Sequence, residues 1–181
     1  MKTLPATSLR GAIHSFIESN SHRLGDNVIE VGTRQHDPRA WWVSNRDLAT
    51  GSWLGVDFQP GPGVDYVADL ESLPWAADSF SGAVVSEVLE HVRKPWRAAS
   101  ELHRVLRPGG IVLITVPFSF PVHSYPSDYY RYTLDGLREL FSNFSHFEGR
   151  MHGECSFTID DHGSGLANVR SPIHTFAVAV K

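Results

Sequence analysis

The sequence predicts an α/β fold, a doubly wound and mostly parallel sheet. Three observations carry this. Short apolar runs recur, each ending in a polar residue: VIEVG, WLGVDF, VDYVADL and AVVSEV. Segments with helical spacing and capping residues are interspersed among these runs, and strands alternating with helices build parallel sheets. Gly- and Pro-rich breaks punctuate the junctions.

Residues 8–19, SLRGAIHSFIES, place Leu9, Ile13, Phe16 and Ile17 on one helix face with Ser8 as N-cap, and predict a lid or packing helix. A first strand is expected at 27–31. Asp37 as N-cap and Pro38 as first helical residue then open a helix across AWWVSNRDLA. Strands at 52–58 and 64–68 are separated by QPGPGVD, which is too short for a helix. A fourth strand at 81–86 leads into SEVLEH. Pro95 suits the first turn of a helix through WRAASELHRVL, and RPGG stops that helix and turns into the strand IVLITVPF. An aromatic loop, FPVHSYPSDYYRYT, precedes the helix TLDGLRELFS, capped by Thr133. Strands near 146–152 and in HTFAVAVK end the chain, joined by about twenty Gly- and Asp-containing residues.

Composition narrows the class. The 181 residues are 41% hydrophobic and 20% charged, as in a soluble globular protein, and no apolar run approaches the ~18 residues of a membrane span. One domain is expected over 1–181, an N-terminal helix region at 1–22 and a core at 23–181, with no internal repeat or linker. The first 20 residues lack the apolar stretch of a secretory signal, and the single Cys155 cannot form an internal disulfide, so a cytoplasmic location is expected. A formal charge of −4 and the lack of a basic stripe disfavour nucleic acid as partner. No oligomeric state can be read, although Trp41, Trp42, Trp53 and Trp96 are candidates for an exposed aromatic surface.

The strand ends carry the chemistry. Glu30, Asp57 and Asp69 each stand where the chain leaves a predicted strand, which is where open α/β sheets hold ligands. Taken singly, Asp57 and Asp69 read as ordinary turn residues. Taken together with Glu30 and Gly32, they outline a site shaped for a nucleoside. The pieces VIEVGTR, WLGVDFQPGPGVDYVADLESLPWAADSFSGAVVSEVLEHV, ELHRVLRPGGIVLITVP and HSYPSDYYRYTLDGLREL, in this order, resemble the class I S-adenosylmethionine (SAM) dependent methyltransferases, in the small branch often called methyltransferase type 11. The resemblance spans about Val28 to Phe141. It implies a seven-stranded Rossmann-like sheet whose last strand is antiparallel, with SAM as cofactor.

On that resemblance Asp57 would accept from both ribose hydroxyls, a charge-assisted contact, and Phe58 would lie against adenine. Asp69 would accept from the adenine amino group while the Leu70 N–H reads a ring nitrogen. Gly32 would let the backbone approach the methionine tail, Thr33 would donate to it, and Glu30 would hold the loop or the amine. Ser86, Glu87 and His91, after the fourth strand, complete the expected cofactor-binding set. One departure stands out: Arg34 and His36 occupy positions where most such loops have glycine.

Methyl transfer from a sulfonium is an in-line displacement, so the protein must align the nucleophile, exclude water and remove a proton. His123 is the candidate base, Asp128 its orienting partner, and Tyr129 and Tyr130 walls of the pocket, with Arg131 available to an anionic acceptor. The competing reading makes Asp128 and Arg131 a structural ion pair. Glu87 and His91 stand i,i+4 but have no third ligand spaced to join them, so no metal site is expected. The expected function is methyl transfer from SAM to a small-molecule hydroxyl or amine. The alternatives are a catalytically silent binding or regulatory subunit with an altered cofactor loop, and a nicotinamide oxidoreductase, disfavoured because G-x-G-x-x-G fails after Gly32.

Overall fold

The computed structural model describes residues 8–35, 45–123, 126–160 and 166–181, with backbone alone for 157–160 and 166–169. The apolar runs form β1 (Asn27–Val31), β2 (Ser52–Asp57), β3 (Tyr66–Val67), β4 (Phe80–Ser86) and β5 (Leu106–Pro117). With β6 (His146–His152) and β9 (His174–Val180) they make a seven-stranded sheet in the order β3-β2-β1-β4-β5-β9-β6. The pairs β1–β2, β1–β4, β2–β3 and β4–β5 are parallel, and β9 runs antiparallel to both β5 and β6. The expected mostly parallel sheet with an antiparallel last strand is therefore what forms.

Both faces of this sheet are covered, which is why its central strands are nearly continuous in hydrophobicity. Ala83 and Val85 of β4 and Val112 and Ile114 of β5 join a core with the buried face of α2 (Pro95–Val105) and with Leu137 of α3 (Leu134–Leu140). Alternate residues, Val84, Ile111 and Leu113, face the other way onto Phe16 and Ile17 of α1 (Leu9–Asn20). In α2 the buried Ala98, Ala99, Leu102 and Val105 make one helical stripe, and Pro95 sits at the start where it loses no hydrogen bond. Ser8 and Thr133 cap α1 and α3 as expected, each hydroxyl accepting an N–H at 3.0 Å from three residues on.

Two expectations are corrected and one connection gains elements. RPGG does not precede the strand: it lies within β5, whose pairing with β4 shifts register between Phe80 and Gly82, and Gly109 takes φ +77° in the bulged segment. The connection after β6, for which the sequence predicts no element, contains β7 (Cys155–Asp160) and β8 (Leu166–Ser171), which pair as a separate antiparallel two-stranded sheet. Both runs contain β-branched residues that suit strands. Trp53 is buried, not exposed; it packs with the α1 core and its indole N–H donates to Glu30 at 2.8 Å. Trp96 is 56% exposed as expected, and Trp41 and Trp42 lie outside the described residues. So do His36, Asp37, Pro38 and most of the expected helix over 40–49; of its span, Asn45–Leu48 forms a 3-10 turn.

Chain direction reverses its spread from β1: β2 and β3 lie on one side, β4 and β5 on the other. The register aligns Val31 with Val56 and Val85, so the carboxyl ends of β1, β2 and β4 open together. Such a switch point leaves a crevice above the sheet.

Candidate functional site

Two adjoining cavities fill that crevice and share Val31, Gly32 and Glu87. The smaller, about 250 Å3, is lined by Gly32, Asp57, Phe58, Asp69, Leu70, Glu87 and His91. Asp57 is buried at the tip of β2, and its two oxygens accept the backbone N–H groups of Arg34 at 3.2 Å and Gln59 at 3.0 Å. Phe58 beside it is 49% exposed, an aromatic face presented to the cavity. Asp69 accepts the Glu71 N–H at 2.8 Å, the usual self-bonding of an Asp turn, and Leu70 is buried. Gly32 has φ +83°, and a Cβ there would stand 2.3 Å from Val88 Cγ2, so both conformation and space demand glycine. Arg34 turns away from the smaller cavity toward Gln59, to which its guanidinium donates.

The larger cavity, about 510 Å3, is roofed by Leu9, Ile13, His14 and Ile17 of α1, and its walls include Glu30, Thr33, Ser86, Phe120 and His123. Helix α1 thus packs with one face and lines the cavity with another. Glu30 accepts from Asn45 Nδ2 at 2.6 Å and from Trp53, so it holds the loop; burial still pushes its carboxyl above the usual range. Thr33 Oγ1 donates to the Val56 carbonyl at 3.4 Å.

Where the cavities meet, a polar chain runs along the ends of β4 and β5. The hydroxyls of Ser86 and Thr115 lie 2.8 Å apart, Thr115 donates to Glu87 at 2.9 Å, and the other Glu87 oxygen is 2.8 Å from Nε2 of the buried His174. Glu87 takes φ +55°, a left-handed conformation costing about 1–2 kcal/mol in a non-glycine residue. That turn lets its carboxylate reach Thr115 and His174 instead of joining His91.

His91 meets other groups. Its Nδ1 lies 2.6 Å from the Ser127 carbonyl, an acceptor only, so Nδ1 carries the proton and Nε2 the lone pair. Burial holds His91 below the usual histidine range. His123 reaches back from the loop after β5: its Nδ1 is 3.1 Å from Asp128 and 3.3 Å from the Pro121 carbonyl, which again leaves Nε2 unprotonated in the neutral ring. The two rings are nearly perpendicular, centroids 5.0 Å apart. Asp128 also accepts from both terminal nitrogens of Arg131, one at 2.6 Å, so it is the structural ion pair and the orienting partner together. Arg131 holds the Asp128 carboxyl far below the usual range. Tyr129 is 46% exposed at the rim of the smaller cavity, and its N–H donates to the Glu90 carbonyl at 2.7 Å.

Glu90 is the residue that sequence reasoning missed. It is 0% exposed, neither carboxylate oxygen has a hydrogen-bond partner among the described residues, and Oε1 lies 3.7 Å from His91 Nε2 and 4.0 Å from His123 Nε2. Desolvation, then the nearby Glu87 charge, push its carboxyl well above the usual range. Its position beside His91 was visible; its convergence with His123, from a distant loop, was not.

Residues 47–114 match the methyltransferase domain family. An uncharacterised methyltransferase of Mycobacterium tuberculosis is 39% identical over 61 residues, which are 34% of this chain and 24% of that one. The chain thus spans about a quarter of the length of the curated relatives it matches. Among solved structures, a SAM-dependent methyltransferase from Archaeoglobus fulgidus superposes with a TM-score of 0.66 at 15% identity, over 95% of this chain and 94% of the other. The chain has the fold of these methyltransferases. The same methyltransferase fold is shared with the Burkholderia thailandensis 1,6-didemethyltoxoflavin-N1-methyltransferase, solved with 1,6-didemethyltoxoflavin and S-adenosylhomocysteine, at a TM-score of 0.62 and 16% identity over 94% and 76% of the two chains.

Proposed function

We propose that this methyltransferase-fold protein transfers a methyl group from SAM to a hydroxyl or amine of a small molecule. The observation that carries the reading is Asp57: a buried carboxylate fixed by two backbone N–H groups at the tip of β2, opening on a cavity beside the exposed face of Phe58. A preset acid of this kind suits the paired hydroxyls of a ribose, and Phe58 suits an adenine. SAM would supply an electrophilic methyl on a sulfonium. Gly32 offers the close backbone approach a methionine tail needs, and Thr33 a hydroxyl beside it. Asp69 and Leu70 border the adenine end.

The larger cavity, under the apolar face of α1, takes the acceptor. His123 Nε2, with Nδ1 held by Asp128, is placed to accept the acceptor's proton as transfer proceeds. The Burkholderia enzyme, of similar fold, was solved with a small molecule in hand, which supports an acceptor of that class. Calorimetric titration with SAM and S-adenosylhomocysteine tests the reading. Micromolar binding, weakened at least 100-fold by Asp57→Ala, is expected; a folded protein that binds neither at millimolar concentration would refute it.

A further inference from the structure

We propose that Glu90, His91 and His123 hold one divalent transition-metal ion, of the Zn2+ class, at the junction of the two cavities. Each residue offers one ligand atom, and the three atoms lie within 4.8 Å of one another. Both imidazoles are oriented by second partners on Nδ1, the Ser127 carbonyl and the Asp128 carboxylate, as metal-binding histidines are. The third ligand is the independent sign: a fully buried carboxylate whose two oxygens have no hydrogen-bond partner among the described residues. Leaving such a group unsatisfied costs about 1–3 kcal/mol or more when charged, and a cation is the partner that two lone-pair nitrogens would admit.

Ligands at about 2.1 Å from a tetrahedral ion sit about 3.4 Å apart. The two separations from Glu90, 3.7 and 4.0 Å, need to close by roughly 0.3 and 0.6 Å, and the two imidazole nitrogens, within 4.8 Å of each other, close by at most about 1.4 Å. Two histidines and one carboxylate leave a coordination position open. His91 lines the smaller cavity and His123 the larger, so that position takes an oxygen donor lying between them. Resting on the methyltransferase reading, this favours an acceptor whose hydroxyl or carboxylate binds the ion. His123 Nε2 cannot be ligand and base at once; with the ion bound, the ion would acidify an acceptor hydroxyl so that its proton passes to solvent before methyl transfer, while a carboxylate acceptor would bring no proton to remove.

The test is a titration of the chelator-treated full chain with ZnCl2, followed by calorimetry, and with CoCl2, followed by visible absorption. One ion per chain is expected, with affinity reduced at least tenfold in Glu90→Gln and in His123→Ala and unchanged in His146→Ala, on the exposed β6 surface. Should Glu90→Gln not fold, the more accessible His123→Ala carries the result. A folded chain that binds no stoichiometric ion, or binds it equally well in both variants, overturns the site. S-adenosylhomocysteine titrated into the same samples reads the cofactor proposal separately, since Asp57 is no part of this ligand set.

Discussion

Asp57 and Glu90 are both buried acids just beyond parallel strands, yet their surroundings are opposite. Asp57 spends each oxygen on a backbone N–H, whereas Glu90 has a hydrogen-bond partner on neither among the described residues. The first arrangement is stable alone and presets an acceptor for hydroxyl donors. The second is costly alone and stores affinity for a cation. One crevice therefore has a side preorganised for a neutral polar ligand and a side that a charged ligand would complete.

The comparison breaks most sharply if Asp57 proves dispensable. Asp57→Ala should lower S-adenosylhomocysteine affinity at least 100-fold, about 2.7 kcal/mol, by calorimetry. The loop that carries His123 comes next. Asp128→Asn should cost about 2–3 kcal/mol at pH 7, since it breaks a largely buried ion pair. Asp128's carboxyl is depressed in the fold, so its contribution is fully present above the ordinary carboxylate range and is lost progressively as pH falls from there through the depressed folded value. The gap in Tm between wild type and variant should begin to narrow below about pH 4 and keep shrinking as the pH falls further.

A smaller effect of opposite sign sharpens the Glu90 side. Its carboxyl is raised in the fold, so stability present at acid pH is lost as pH rises. In chelator-treated protein, Glu90→Gln should raise Tm at pH 8 by about 2–4 °C, near 1 kcal/mol, and by less at pH 5. Zn2+ at about 100-fold over its Kd should reverse the order by adding about 2.7 kcal/mol to wild type alone. The smallest effect is the control: Trp96→Ser, on the exposed face of α2 away from both cavities, should stay within about 0.5 kcal/mol by denaturant unfolding.

The Asp57 side of the crevice was legible because its signals are local. VIEVG and WLGVDF each state a strand and its terminal acid within a few residues, and Gly32 announces the turn whose steric need Val88 makes concrete. The other side was not, because it is assembled across the chain. Glu87 and His91 looked paired by spacing, but a left-handed turn at Glu87 sends its carboxylate to Thr115 and His174. His123 joins Glu90 only through a loop fixed by Asp128 and Arg131. Trp53 was misjudged for a related reason: whether an aromatic on a strand faces solvent depends on α1 covering that face, which no local pattern states.

The most direct test of the account is a paired titration. Wild type, Asp57→Ala and Glu90→Gln are each titrated with S-adenosylhomocysteine and, separately, with Zn2+. The account predicts that wild type binds one of each, that Asp57→Ala loses only S-adenosylhomocysteine and that Glu90→Gln loses only Zn2+. Folded variants that lose both ligands together, or neither, would contradict it.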